Sequence, residues 1–398
     1  MHKLIRLSSL GILLASPTVP VAMETAALAQ AQPAAQAPVA PLPAALWTRQ
    51  AAEALLAYVD GVGAEGLDPA DYGPERLRGA IASGDEGSMA AVATDVFLRL
   101  ASDLSGGAVR GASRVDWHMP STQLDASAQR QLMANAVADG RIAEALNSLL
   151  PVHPQYHGLR RALAITPEGE TAQRDLIRTN MERWRWMPRS LGSRHVIVNV
   201  PAFTAAIVDE GQVTARHRTV VGAVRTPTPQ LSATIRAVTF NPWWHVPQSI
   251  IREMGGRFGA DYQVTRSGGQ ISARQQPGPR NSLGRVKIEM PNDHAIYLHD
   301  TPAQALFARP ARAFSHGCIR TQNVRDFAAR LLAPTGEWQR PAIDRAINTG
   351  RTTSANLAAP IPVYIAYFTA AATEEGQVVS YRDVYGRDAP VKRALNAA

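Results

Sequence analysis

Cysteine is nearly absent from this sequence: among 398 residues there is one, Cys318. A single cysteine cannot close an internal disulfide or build a zinc knuckle, so a disulfide framework and a cysteine-rich metal site are both excluded. No apolar run approaches the roughly 18 uncharged residues of a spanning helix, so no transmembrane segment is expected. The ten histidines lack the companion spacing of metal ligands, and no metal or cofactor is expected. P-loop, H-E-x-x-H and G-x-S-x-G runs are missing too. One G-x-G-x-x-G run does occur, Gly61-Val62-Gly63-Ala64-Glu65-Gly66, but it follows a helical pattern instead of a strand, which argues against a dinucleotide site. No internal repeat of fixed period is present.

Acidic residues are outnumbered, 33 Asp and Glu against 41 Lys and Arg, for a formal charge of +8. The first 29 residues read as a secretory signal: Lys3 and Arg6 form a basic start, Leu7 to Ala15 a short apolar stretch, and Ala27-Leu28-Ala29 a small-x-small cleavage site. Counting out Lys3, Arg6 and Glu24 leaves +7. A basic exported protein suits anionic lipid or a carboxylate-rich polymer, and export disfavours nucleic acid. Export also makes the lone cysteine a free thiol in an oxidising compartment. Such a thiol is a reactive candidate, with a buried inert cysteine as the alternative.

Residues 30–45 form an Ala/Pro/Gln-rich linker, and from there to 165 the texture is helical. Ala51, Ala52, Leu55, Leu56 and Val59 recur at three- and four-residue spacing, as do Val92, Val96, Leu100 and Leu104. Thr166-Pro167 predicts the start of a connecting helix over 166–192, with the hydroxyl as N-cap. Beyond Gly192 short β-rich runs take over: 196–200, 203–208, 213–221, 235–240, 286–290 and 295–299. A helix is expected over 323–332, then strands over 361–369 and 377–381. Residues 242–285, rich in Gly, Gln, Arg and Pro, read as a surface insertion. The fold class is therefore α+β, an all-helical domain over 46–165 and a mostly β domain over 193–398.

Cysteine catalysis requires a thiolate, a base to generate it, and donors for an oxyanion. In Ser315-His316-Gly317-Cys318-Ile319-Arg320, Gly317 permits a tight turn, and the N–H groups of Gly317 and Cys318 are candidate oxyanion donors. The helix expected a few residues later would lower the thiol pKa with its positive end. Two histidines are candidate bases, His316 and His299, and spacing alone does not choose between them. A strand-borne His299 can face the cysteine across a sheet, whereas a ring two residues away in a tight turn is poorly aligned, so His299 is preferred. The carbonyl of Asp300 is the nearest group to fix its tautomer. Arg320 suits a substrate carboxylate, which it can grip with a forked pair of N–H groups.

The runs Tyr297-Leu298-His299-Asp300-Thr301-Pro302 and Phe314-Ser315-His316-Gly317-Cys318-Ile319-Arg320 resemble the catalytic motif of the L,D-transpeptidases. Glu182-Arg183-Trp184-Arg185-Trp186-Met187-Pro188, Val198-Asn199-Val200-Pro201-Ala202-Phe203 and Asn241-Pro242-Trp243-Trp244-His245-Val246-Pro247 resemble the long, YcbB-like Gram-negative subgroup. The resemblance implies a helical scaffold followed by a YkuD-like catalytic domain with a capping insertion over about 242–285. It implies Cys318 as nucleophile, His299 as base, His316, Gly317 and Cys318 as the oxyanion turn, and Ser315, Arg320, Trp244 and Tyr297 as substrate contacts. The implied substrates are peptidoglycan stem peptides in the periplasm, commonly joined as 3→3 cross-links, with other cell-wall synthesis proteins as candidate partners. The peptidoglycan-binding module usual in this subgroup is missing, since Leu163 runs almost directly into the Arg183-Trp184 helix. Two other readings remain: an L,D-carboxypeptidase or endopeptidase of the same fold, and a non-catalytic wall-binding protein.

Overall fold

Side-chain caps and apolar spacing set the first helices. Thr48 caps α1 (Arg49–Gly61), accepting from the N–H of Ala51, and Ala51, Ala52, Leu55 and Val59 face inward. After α2 (Pro74–Ser83) comes α3 (Glu86–Gly106), capped by Asp85 and burying Met89, Val96, Phe97, Leu100 and Leu104. A two-residue strand β1 (Trp117–His118) precedes α4 (Ala126–Asp139), α5 (Ile142–Asn147) and α6 (Pro154–Ile165). The structure, a computed structural model, describes residues 47–373 and 375–397. The expected signal (1–29) and linker (30–45) lie outside them.

Thr166 does not start a helix. Its N–H donates to the carbonyls of Ala162 and Leu163, and its hydroxyl returns to Ala162 O at 2.7 Å, so it closes α6. The next helix, α7, spans Thr171–Trp186 and is separated from α6 only by residues 166–170. Its second half is buried on every side, from Thr179 to Trp186, so it is an interior element.

Burial of so polar a helix requires internal partners. Arg185 and Glu182, both without exposed side-chain surface, pair at 2.8 Å. Glu182 also accepts from the N–H of Val109 at 2.8 Å and from the Trp186 indole at 2.9 Å. Arg185 donates to the Glu65 carbonyl, and the Glu65 carboxylate accepts from Tyr156 and Arg160. Gly107 is required beside this cluster: its φ is +85°, and a Cβ there would lie 2.4 Å from Glu182 and 2.5 Å from the Trp186 indole.

The β half comprises β2 (Arg194–Asn199), β3 (Thr204–Asp209), β4 (Gln212–Gly222), β5 (Gln230–Phe240), β6 (Trp244–His245), then α8 (Gln248–Glu253), β7 (Tyr262–Ser267) and β8 (Gln270–Gln275). It continues through β9 (Val286–Glu289), β10 (Leu298–His299), β11 (Ala313–Ser315), β12 (Ile319–Thr321), α9 (Val324–Leu332), α10 (Arg340–Asn348), β13 (Thr353–Ala366), β14 (Ala370–Ala372), β15 (Val378–Ser380) and α11 (Asp388–Leu395). The main sheet runs β1-β5-β13-β2-β3-β4-β12-β10-β9, and β9 pairs back to β5, closing it on itself. Closure leaves its central strands without a free edge. One face packs on α9 and α10 through Val221, Ile288, Leu298, Ile319, Phe327, Leu331 and Ile343. The insertion forms its own sheet, β6-β8-β7, with α8 packed on it through Trp244, Val246, Ile251 and Ala273. Asn281 ties its base by donating to the carbonyls of Pro242, Gln275 and Gln276.

Removing one partner of the buried pair leaves a charge uncompensated in the interior. Glu182→Ala is expected to cost about 3–5 kcal/mol in a denaturant melt monitored by tryptophan fluorescence. A loss below about 1 kcal/mol would show that the Glu182 and Arg185 charges are not what holds α7.

Candidate active site

The sheet register assembles this site. β10 and β12 are parallel neighbours, with Leu298 opposite Ile319 and His299 opposite Arg320. Side chains alternate between faces. Leu298 and Ile319 therefore point into the core, where both are fully buried, and Tyr297, His299, Cys318 and Arg320 share the other face. The N–H of Ile319 donates to Tyr297 O at 3.0 Å, setting Cys318 across from Tyr297. His299 is the diagonal neighbour of Cys318, with Cα atoms roughly 8 Å apart from strand spacing and rise.

The rings of the two candidate bases point to different groups. The Nδ1 of His299 faces the Asp300 carbonyl at 2.5 Å, so in the neutral ring Nδ1 carries the proton and Nε2 is left as the acceptor. His316 is half exposed, and its Nε2 meets the Glu253 carboxylate of α8 at 2.8 Å. The chain thus turns His316 toward the insertion and lays His299 on the cysteine's face.

The turn before Cys318 is internally braced. Ser315 is buried; its hydroxyl donates to Cys318 O at 2.5 Å and accepts from the Gly317 N–H at 3.1 Å. The serine expected to touch substrate is instead engaged within the turn, and the Gly317 N–H is already bonded. The Cys318 N–H has no partner among the described residues. Gly317 has φ +112°, a conformation suited to glycine. The helix expected to lower the thiol pKa does not reach it: β12 and residues 322–323 intervene before α9, and a helix-end field fades within a turn.

Burial controls the protonation of both groups. It pushes the Cys318 thiol above its ordinary value, against opposing effects from Tyr297, Lys287 and Arg320. It pushes His299 down to about 3, assisted by the nearby Arg320 cation. The resting pair is therefore neutral thiol and neutral imidazole. Arg320 has no carboxylate partner among the described residues, and its Nε is buried without an acceptor.

Sequence reading missed Lys287. It lies opposite His299 in the register, pairs with Glu289 at 2.8 Å, and holds its ammonium 4.7 Å over the Tyr297 ring. The alternation Val286-Lys287-Ile288-Glu289 was the available signal, since it sends both charges to the face opposite the core. Trp244, 8% exposed, packs within the insertion's cluster, which Tyr297 joins from the main sheet. Phe258 and Tyr262 pack on each other there at 5.4 Å. A cleft of about 430 Å³, lined by Pro227, Ile296, His316, Gly317 and Tyr385 among others, opens beside the turn.

Fold and site together define a helical platform bearing a closed sheet with a cysteine and histidine on one face. Residues 193–365 match the L,D-transpeptidase catalytic domain, YkuD, and residues 43–163 match a Scaffold domain. The chain carries an L,D-transpeptidase catalytic domain behind a helical Scaffold domain, as the motif resemblance implied. A Haemophilus influenzae protein named "Putative L,D-transpeptidase" is 27% identical over 292 residues, covering 66% of this chain and 59% of that protein. The chain thus spans about three fifths of that relative's length. Solved L,D-transpeptidases from Mycobacterium smegmatis (16% identity, 44% of this chain and 58% of that one, TM-score 0.24) and Mycobacterium tuberculosis H37Rv (14%, 44% and 57%, 0.21) are too distant to bear on individual residues.

A neutral resting pair has a spectroscopic consequence. A thiol with a raised pKa stays protonated until the pH passes that value, so the thiolate absorbance lost in Cys318→Ala is expected only in strongly alkaline solution. Iodoacetamide alkylation is expected to climb with pH without an acid plateau. Thiolate absorbance at about pH 6 would mean a preformed thiolate–imidazolium pair and would sink this reading.

Proposed function

We propose that this chain is a peptidoglycan L,D-transpeptidase acting in the periplasm, with Cys318 as nucleophile and His299 as general base. The observation that carries the reading is the shared face of Tyr297, His299, Cys318 and Arg320 beside an unpartnered Cys318 N–H. The proton on sulfur passes to Nε2 of His299 as sulfur bonds to the carbonyl carbon of an L,D peptide bond in a donor stem. The carbonyl electron pair moves to oxygen, which accepts from the Cys318 N–H. Collapse breaks the C–N bond, the departing D-residue takes the proton from His299 as its amine, and a thioester remains. An amine of a second stem then attacks the thioester carbonyl, losing a proton to His299, and Cys318 leaves with that proton restored. Commonly this product is a 3→3 cross-link.

Arg320 is the proposed anchor for a stem carboxylate, because it has no carboxylate partner among the described residues and its Nε is buried without an acceptor. Trp244 and Tyr297 are the proposed walls of the donor site. His316 and Gly317 shape the oxyanion turn, and Ser315 braces it from within. If water replaced the acceptor amine, the same acyl-enzyme would make a carboxypeptidase.

Purified chain incubated with stem-peptide muropeptides is expected to yield cross-linked dimers, and Cys318→Ala none. Trimmed monomers without dimers would replace the transferase reading by the hydrolase. In the same assay His299→Ala is expected to lower the acylation rate by about 10²–10⁴-fold, and His316→Ala by less than about tenfold. The reverse order would move the base to His316.

A further inference from the structure

We propose that Thr228 and Tyr385 are positioning residues that aim the Cys318 N–H at the developing oxyanion, an inference that rests on Cys318 being the nucleophile. Thr228 lies on the loop between β4 and β5 and is fully buried. Its hydroxyl donates to Gly317 O at 2.8 Å and accepts from the Gly222 N–H at 2.8 Å. The Tyr385 hydroxyl, from the segment before α11, donates to Gly222 O at 2.6 Å and accepts from the Thr228 N–H at 3.2 Å. The two hydroxyls thus tie the end of β4 at Gly222 to the turn at Gly317.

Peptide geometry explains what the clamp controls. In a trans peptide the C=O and N–H point in opposite directions. Fixing Gly317 C=O on Thr228 therefore turns the N–H of the same peptide, that of Cys318, away from Thr228. Gly317, with φ +112° and no side chain, presents little barrier to rotating that peptide. The Ser315 brace holds the Gly317 N–H and Cys318 O and leaves the Gly317–Cys318 peptide plane to Thr228.

The clamp is anchored in the helical half. Tyr385 stacks on Tyr367 at 5.6 Å and lies under the Arg387 guanidinium at 4.9 Å. Arg387 pairs with Asp116, just before β1, and donates to Thr228 O at 3.3 Å. Arg183 of α7 donates to Arg387 O at 3.0 Å and to Asp388 at 2.6 Å. A continuous set of bonds therefore joins α7 to the peptide plane beside the nucleophile.

The test compares two reactions of one thiol. Acylation by a carbapenem bonds sulfur to the lactam carbonyl carbon, passes through an oxyanion, and breaks the lactam C–N bond as nitrogen takes a proton from His299. Alkylation by iodoacetamide displaces iodide at a saturated carbon and forms no oxyanion. On the full chain, Thr228→Val is expected to slow carbapenem acylation by about 10²-fold, measured by mass spectrometry, and to leave alkylation within about twofold of wild type. Thr228→Ser is expected to restore most of the acylation rate, and Tyr385→Phe, which also serves if Thr228→Val does not fold, to slow acylation about tenfold. A wild-type chain that is not acylated at Cys318 would overturn the nucleophile reading itself. An acylated wild type with both variants acylating at its rate would overturn the clamp alone, as would acylation and alkylation falling together, which marks disturbed packing of the sulfur.

Discussion

The site depends on the pairing register of two very short strands. A one-residue slip between β10 and β12 would send Cys318 and His299 to opposite faces. The ladder itself is brief, two paired positions, so the register is held mainly from the core side. Leu298 and Ile319 are opposite each other and fully buried with Ile288 and Val221, and a slip would exchange Ile319 for Cys318 or Arg320 in that core. Burying an unpaired guanidinium costs several kcal/mol or more, far more than a lost ladder bond. The apolar face therefore fixes the chemical face by exclusion. The N–H of Asp300, bonded to Val286 O at 2.8 Å, sets the far end of β10 in the same register.

That constraint extends to the helical half. The end of β13 and the strand β14 belong to the helical core, since Tyr364, Ala366, Phe368, Ala370 and Ala372 pack with residues of α1 to α7. Trp184 of α7 is sandwiched between His153 at 4.1 Å and Phe368 at 4.2 Å. Asn180 of the same helix accepts from the Thr369 N–H at 2.8 Å. β13 in turn pairs with β2 and β5. The helices thus act as the packing surface on which the closed sheet is seated. The run from Glu182 to Pro188, prominent in the sequence for its arginines and tryptophans, meets both halves.

Sequence pattern revealed what depends on local periodicity. The helical spacing of residues 49–61 and 86–106, and the β-rich runs that became β2, β3, β4, β5 and β9, reflect single faces buried against one core. Elements whose length is set by tertiary contacts were less legible. The run 295–299 yields only Leu298–His299 as strand, because Ala295 adopts a positive φ of 52°. β1, β11 and α10 carry too short or too polar a pattern to stand out. Thr166 has the composition of an N-cap, yet its hydroxyl finds a carbonyl of the preceding helix. Of the site, Cys318, His299 and the Asp300 carbonyl were legible because the chemistry and the strand end are local. Lys287, Thr228 and Tyr385 were not, since their places beside the cysteine come from strand closure and from a segment far along the chain.

The electrostatics of the face favour deferred charge separation. Moving a proton from Cys318 to His299 creates two charges where burial disfavours both. Arg320 acts on the two products in opposite directions, stabilising a thiolate and opposing an imidazolium, so by itself it gives the transfer little net help. On its proposed role, a stem carboxylate docking at Arg320 would cancel that cation. His299 would then regain proton affinity at the moment a carbonyl carbon is presented to the sulfur, while the thiolate would keep the larger help of Tyr297 and Lys287. On that proposal, a neutral resting pair and an Arg320 without a carboxylate partner among the described residues are two sides of one arrangement, in which the base would gain strength when substrate arrives and the partly buried sulfur would stay a thiol until then.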